Sequence, residues 1–129
     1  MSAYYFSTTL AMSMDEADAA TREALRAEGF GVLTEIDIQA TLKKKINADF
    51  RPYRILGACN PPLAHQALQS EGHIGLMLPC NVIIQEVEGG MEVAAVDPVA
   101  SMAAVENDDL GPVATEVRER LRRVIESLK

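Results

Sequence analysis

The stretch from Tyr53 to Cys80 constrains the fold more than any other part of the chain. It reads YRILGACNPPLAHQALQSEGHIGLMLPC and holds both cysteines and both histidines. A β-prone run ends at Cys59, and the following Asn60-Pro61 pair is a strong helix-start signal. Asparagine is a good N-cap, and proline suits the first helical position because its missing N–H is not needed there. Another β-prone run begins at the end of the stretch, which therefore predicts a strand, a short helix and a returning strand.

The remaining elements follow from alternation, capping signals and helical periodicity. Predicted strands cover residues 3–9, 32–38, 53–59, 81–87 and 91–96, and predicted helical segments cover residues 14–28, 40–47, 61–71, 98–104 and 111–128. The turn signal Glu88-Gly89-Gly90 requires at least one antiparallel pair of strands. We therefore predict a single α+β domain over residues 1–129 with a five-stranded, largely antiparallel sheet and helices packed on one face. Its order is β-α-β-(α)-β-(α)-β-β-α, with parallel crossovers as the alternative.

The charge and hydropathy of the chain limit its partners. A net charge of -7 argues against nucleic acid, for which a basic surface supplies most of the affinity. It also argues against anionic membrane surfaces. The N-terminus lacks a basic region followed by a long apolar run, so we predict neither a signal peptide nor a membrane partner. A cytoplasmic location is the expectation, and there the two cysteines would be reduced thiols.

Chain lengths predict that the two cysteines meet. The helix between them would travel outward by roughly 15 Å, and the eight residues 72–79 would return over as much as about 26 Å. If strands three and four are antiparallel neighbours, Cys59 and Cys80 lie together at one sheet edge beside the amino end of this helix. Asn60 and Asn81 would be their hydrogen-bonding neighbours, and His65 would lie about one turn into the helix.

This arrangement predicts a binding or thiol site with Cys59 and Cys80 as candidate reactive groups. A helix N-terminus lowers a thiol pKa and can hold an anion or a small polar ligand. The structural alternative is that each cysteine is a buried apolar filler and that His65 is an exposed helical residue. A zinc site is not predicted, because Cys59, His65, His73 and Cys80 lack the close ligand pairs of structural sites. No metal or other cofactor is expected.

Two motifs carry a family resemblance. YRILGACNPPLA at residues 53–64 and IGLMLPCNV at residues 74–82 resemble the bacterial and archaeal domain-of-unknown-function family 302. The similarity covers almost the whole chain. It implies an α+β domain with a TATA-binding-protein-like topology carrying insertions, and it implies no particular activity. The topology alone does not transfer DNA binding, because fold does not determine function and the charge opposes it.

Three functions from different classes remain open on the sequence. The first is a small domain that binds a small polar or anionic ligand at Cys59, Asn60, His65, Cys80 and Asn81. The second is a redox protein in which Cys59 and Cys80 cycle between dithiol and disulfide. The third is a structural module that forms a homodimer through an exposed sheet edge.

Overall fold

A computed structural model describes residues 4–129, and the first position of the predicted strand 3–9 lies outside this range. The strands are β1 Tyr5–Leu10, β2 Gly31–Asp37, β3 Tyr53–Cys59, β4 Cys80–Val87 and β5 Gly90–Val96. The helices are α1 Met14–Ala27, α2 Ile38–Ile46, α3 Pro61–Ser70, α4 Pro98–Ser101 and α5 Leu110–Leu128, with a 3₁₀ turn at Ile74–Met77 between α3 and β4. This order confirms the predicted α+β architecture, in which α2 and α3 are the bracketed insertions.

The five strands form one sheet in the order β1-β5-β4-β3-β2. Every neighbouring pair is antiparallel, so the alternative with parallel crossovers is wrong. The connections explain this result. The short turn between β4 and β5 can join only antiparallel strands. The connection formed by α3 and the 3₁₀ turn leaves the sheet at the end of β3 and returns to the same end of the sheet. Strands β3 and β4 therefore also run in opposite directions.

Local signals set the ends of α1. The Ser13 hydroxyl accepts a hydrogen bond from the Glu16 amide at 3.2 Å, and the Glu16 carboxylate accepts one from the Ser13 amide at 3.1 Å. These two reciprocal hydrogen bonds form a capping box. At the other end Gly29 has a φ of 86°, a left-handed conformation that favours glycine. Both ends of α1 thus follow from the sequence.

The core lies between one face of the sheet and the helices α1 and α5. Val82 and Ile84 of β4 and Val93 of β5 are fully buried on that face, and Leu25 of α1 and Leu121 of α5 are fully buried opposite them. Val82 and Ile84 are two residues apart on their strand, and the buried residues Val117, Leu121 and Val124 of α5 recur every three to four positions, as burial of a single face requires. Helix α2 buries none of its residues, in keeping with its position as an insertion.

An ion-pair network ties α1 to the sheet. Asp18 of α1 is 8% exposed. One of its carboxylate oxygens accepts a hydrogen bond from Arg22 Nε at 2.6 Å, and the other accepts one from Arg54 Nη1 of β3 at 3.1 Å. Arg54 also reaches the exposed Asp15 at 3.1 Å. The buried carboxylate is therefore paired with two guanidinium groups, as its burial demands.

Candidate functional site

A pocket of about 320 Å³ lies where β3 ends, α3 begins and β4 begins. Helices α3 and α5 supply its walls, and both cysteines line it, so we call it the thiol pocket. Apolar side chains make up most of its remaining lining and include Phe30, Leu63, Ala67, Leu78, Met102 and Val117. The exposed side chains of Leu33 and Leu68, at 68% and 45% exposure, lie at its mouth. The pocket is thus apolar in its interior and at its entrance.

Strand register brings the two cysteines together. Ala58 pairs directly with Cys80, so Cys59 and Cys80 lie on neighbouring strands one position apart. Both are free thiols. Cys80 is 6% exposed, and Cys59 is half-buried. Both residues line the thiol pocket where α3 begins.

Gly57 allows the segment before β4 to lie close to β3. A Cβ atom at this position would overlap the Thr34 hydroxyl and would lie 2.7 Å from Cγ of Pro79. Real Cβ atoms do not make such contacts, so a larger residue at Gly57 would displace its neighbours. Pro79 immediately precedes Cys80 and lines the thiol pocket, so the absence of a side chain at Gly57 helps to shape this wall.

The electrostatics of Cys80 differ from the expectation. Burial, and secondarily the neighbouring Cys59, raises the pKa of Cys80 from 9.0 to about 11. The prediction that the amino end of α3 lowers the thiol pKa is therefore wrong for this residue. The physical reason is desolvation: burial in an apolar pocket disfavours the charged thiolate. At neutral pH Cys80 is a protonated thiol.

Asn60 is committed to structure. Its side-chain oxygen accepts a hydrogen bond from the Leu63 amide at 3.3 Å, which caps α3 as predicted. Its Nδ2 donates to the Glu28 carbonyl at the end of α1 at 3.5 Å. Arg120 Nη1 donates to the same carbonyl at 3.0 Å. Asn60 thus lines the pocket with a side chain already hydrogen-bonded at both ends.

Replacing Asn60 with alanine should lower the free energy of unfolding by about 1–2 kcal/mol, because the α3 cap and one partner of the Glu28 carbonyl are lost. Urea denaturation measures this change. The exposed Gln66 on the same helix gives a matched control, since Gln66→Ala removes an amide without removing a cap. We expect a change within about 0.5 kcal/mol for that variant. Equal losses for the two variants would contradict a capping role.

The other two predicted site residues lie outside the thiol pocket. Asn81 is exposed and lines a different concavity, on the opposite face of the sheet, because alternation points Cys80 and Asn81 to opposite sides. His65 is exposed on α3, in agreement with its structural alternative. His73 is 90% exposed in its side chain and lies 3.7 Å from the Glu71 carboxylate. The structure therefore brings together Cys59, Asn60 and Cys80 only.

Several pocket residues carry no local signal in the sequence. Phe30 follows α1, Met102 follows α4, and Val113 and Val117 lie on α5, so only the tertiary fold brings them to the pocket. Leu68 lies at the mouth of the pocket and is 45% exposed.

Two kinds of site are absent from residues 4–129. This part of the chain contains no group of three or more histidine, cysteine, aspartate or glutamate side chains that could hold a metal ion. No helix within it has the length and apolar character needed to cross a membrane.

The fold and pocket define the class: a small α+β domain with one antiparallel sheet, a helical layer on one face and an apolar pocket at the sheet end. The chain belongs to the family domain of unknown function DUF302, whose sequence pattern it matches over residues 6–128. The crystal structure of an uncharacterized conserved protein DUF302 from Bacillus stearothermophilus is similar to it. That similarity covers 99% of this chain and 100% of the other, with 25% identity and a TM-score of 0.91. No curated protein matches the chain significantly.

Proposed function

We propose that the protein is a binding domain whose thiol pocket takes a small apolar molecule. The observation that carries this proposal is the pocket itself, about 320 Å³ in volume and lined almost wholly by apolar side chains. That volume lies at the small end of the range for ligand sites. It is also about twice the roughly 150 Å³ cavity known to hold benzene. A ligand with one or two rings, or a short aliphatic chain, matches this size.

The lining favours an apolar ligand over the polar or anionic one predicted from the sequence. A bound anion needs exposed N–H groups or a cation. In the thiol pocket the Asn60 side chain already caps α3 and bonds the Glu28 carbonyl. The pocket residues include no lysine, arginine or histidine. Burial of apolar surface supplies the affinity for an apolar molecule at about 25 cal/mol per Å² before the costs of association.

The cysteines have a role in this proposal that needs no redox chemistry. A protonated thiol behaves as a small apolar group with a weak donor. Cys80, with its raised pKa, is such a group at neutral pH. The alternative of a dithiol–disulfide cycle requires a thiolate at each exchange step. It stays a prediction, and the burial of Cys80 weighs against it.

Naphthalene is a suitable probe, since it is neutral, apolar and small enough for the thiol pocket. Calorimetric titration should show one molecule bound per chain. Ala64→Phe places a ring in the pocket from a half-buried position on α3 and should weaken binding at least tenfold, or about 1.4 kcal/mol. Circular dichroism would verify that the variant is folded.

The matched control is Ala19→Phe, the same substitution at an exposed position of α1 that does not line the pocket. It should bind naphthalene as the unaltered protein does. No binding of naphthalene by the folded protein, or equal binding by both variants, would overturn the proposal. Binding of inorganic phosphate that Ala64→Phe abolishes would instead support the polar or anionic ligand.

A further inference from the structure

The sheet has a second face, opposite the one covered by α1 and α5. Strand pairing places Ile36, Ile55, Ile83 and Ala94 side by side across four strands of that face, one residue from each of β2, β3, β4 and β5. We call this line the central row. One row on each side of the central row completes this surface, the first containing Asn81 and the second Gln85. We call the three rows together the open face. Part of this surface is a concavity of about 340 Å³.

The central row is apolar, and its three isoleucines are within reach of solvent, whereas Ala94 is 7% exposed. Ile36 is 44% exposed, and Ile55 and Ile83 are only half-buried. An antiparallel sheet with one solvated face normally alternates apolar side chains towards the core with polar side chains towards water. Strands β2, β3 and β4 depart from that pattern, because Ile36, Ile55 and Ile83 are apolar residues that neighbour one another across the solvated face. The departure indicates that another surface packs on the central row.

The open face carries almost no charge. The three rows contain fourteen residues from the five strands, and Glu92 is the one ionised side chain among them at neutral pH. Charged residues make up 24% of the chain as a whole, so the face is depleted of charge. Glu92 accepts a hydrogen bond from Gln85 at 2.8 Å, and Gln85 in turn accepts one from Arg51 at 2.7 Å. Even this carboxylate is therefore part of a network that includes a cation.

These features suit a second copy of the same chain. In a two-fold contact the same patch meets itself, so a patch rich in one charge repels its copy. Amides and hydroxyls avoid this problem because each can both donate and accept hydrogen bonds. Asn81, Ser7 and Thr9 supply such groups around the central row. The net charge of -7 is carried mostly by groups away from this face, so salt screens much of the repulsion between the two copies.

The size of the open face reaches what a dimer needs. Five strands about 4.8 Å apart and about 22 Å long cover a flat area of roughly 500 Å² on each copy. Two copies would then bury about 1,000 Å², the lower limit for a specific interface. Nucleic acid is a poor alternative occupant, because the chain has a net charge of -7 and Arg51, which lies beside the face, is already bonded to Gln85.

We propose that the open face packs against the open face of a second copy to form a homodimer. This interface differs from the sheet edge predicted from the sequence, and it is separate from the thiol pocket at the end of the sheet. The edge strand β2 is a weaker candidate, since the register shift between Val32 and Thr34 interrupts its regular pairing pattern. Sheet-to-sheet packing at about 10 Å would interleave the central rows of the two copies.

Analytical ultracentrifugation across a dilution series tests this proposal. At the highest concentration of the series, roughly 100 μM, the protein should have twice its chain mass of 14.0 kDa. Ile83→Lys and Ile36→Lys should each weaken the dimer at least tenfold, because each buries an ammonium at the interface. Circular dichroism verifies folding, and Ile36→Lys decides the question if the more buried Ile83→Lys does not fold.

The control is Leu76→Lys, which introduces the same charge at an apolar residue that is 83% exposed in the 3₁₀ turn, away from the open face. It should leave the dimer intact. A monomer at the highest concentration overturns the proposal. A dimer that Leu76→Lys dissociates, and that both folded open-face variants leave unchanged, also overturns it and places the interface near the thiol pocket.

Discussion

Replacing Asp18 with alanine is expected to lower the free energy of unfolding by about 3 kcal/mol, the lower end of the range for breaking a buried ion pair. The Asp18 side chain is 11% exposed and bonds two guanidinium groups, of which Arg54 is 25% exposed. Its removal leaves Arg54 partly buried with only the exposed Asp15 as partner. A domain of this kind has a total stability of about 5–15 kcal/mol, so the loss is a large fraction. Urea denaturation monitored by circular dichroism measures it.

Glu23→Ala on the same helix is the matched control. Glu23 and Arg26 form a 2.8 Å pair whose side chains are 67% and 76% exposed. Solvent screens such a pair, so we expect a loss below about 0.5 kcal/mol. If Asp18→Ala and Glu23→Ala had equal effects, burial would not be what makes the Asp18 network important. The comparison thus separates a buried pair from an exposed one with a single type of substitution.

Sequence patterns were sufficient for the architecture of this domain because its signals are local. Ser13 and Asn60 cap helices with side chains a few residues from their partners. Alternation in β4 and β5 shows which residues face the core. The turn between β4 and β5 required one antiparallel pair, and only the structure excluded parallel crossovers for the other connections. The apolar line across the open face did not follow from the sequence, because residues adjacent in that row come from four strands and only strand order makes them neighbours.

The candidate site was predictable in part for the same reason. Cys59 and Cys80 meet because they end one strand and begin the next, which the sequence shows. Asn81 and Cys80 lie on opposite faces, and that separation depends on strand alternation continuing to the first residues of β4. The character of the pocket depends on residues as distant as Phe30 and Val117, which no local pattern connects. The location was therefore predicted, and its apolar nature required the tertiary structure.

Cys80 should react with iodoacetamide about 100-fold more slowly in the folded protein than in the unfolded chain at pH 8. Thiolate is the reacting species, and a pKa raised by about two units lowers its fraction by that factor. Limited access to the pocket slows the reaction further. The measurement uses Cys59→Ser, in which Cys80 is the one remaining cysteine. Burial, the larger cause of the shift, persists in this variant. The same variant unfolded in urea is the reference.

We expect the raised pKa of Cys80 to appear also in the pH dependence of stability, since a pKa that differs between folded and unfolded states couples proton binding to folding. The folded state holds the Cys80 proton more tightly, so its contribution is complete below pH 9 and is lost as pH rises through about 11. Two pKa units correspond to about 2–3 kcal/mol. Cys80→Ala removes this contribution. The difference in free energy of unfolding between the unaltered protein and this variant therefore isolates Cys80 from other groups that titrate at alkaline pH. Two results together would show that Cys80 forms a thiolate readily in the folded protein. They are rapid alkylation of Cys80 and a difference in stability between the unaltered protein and Cys80→Ala that stays constant from pH 8 to 11. That result would favour the dithiol–disulfide cycle over ligand binding as the function of the thiol pocket.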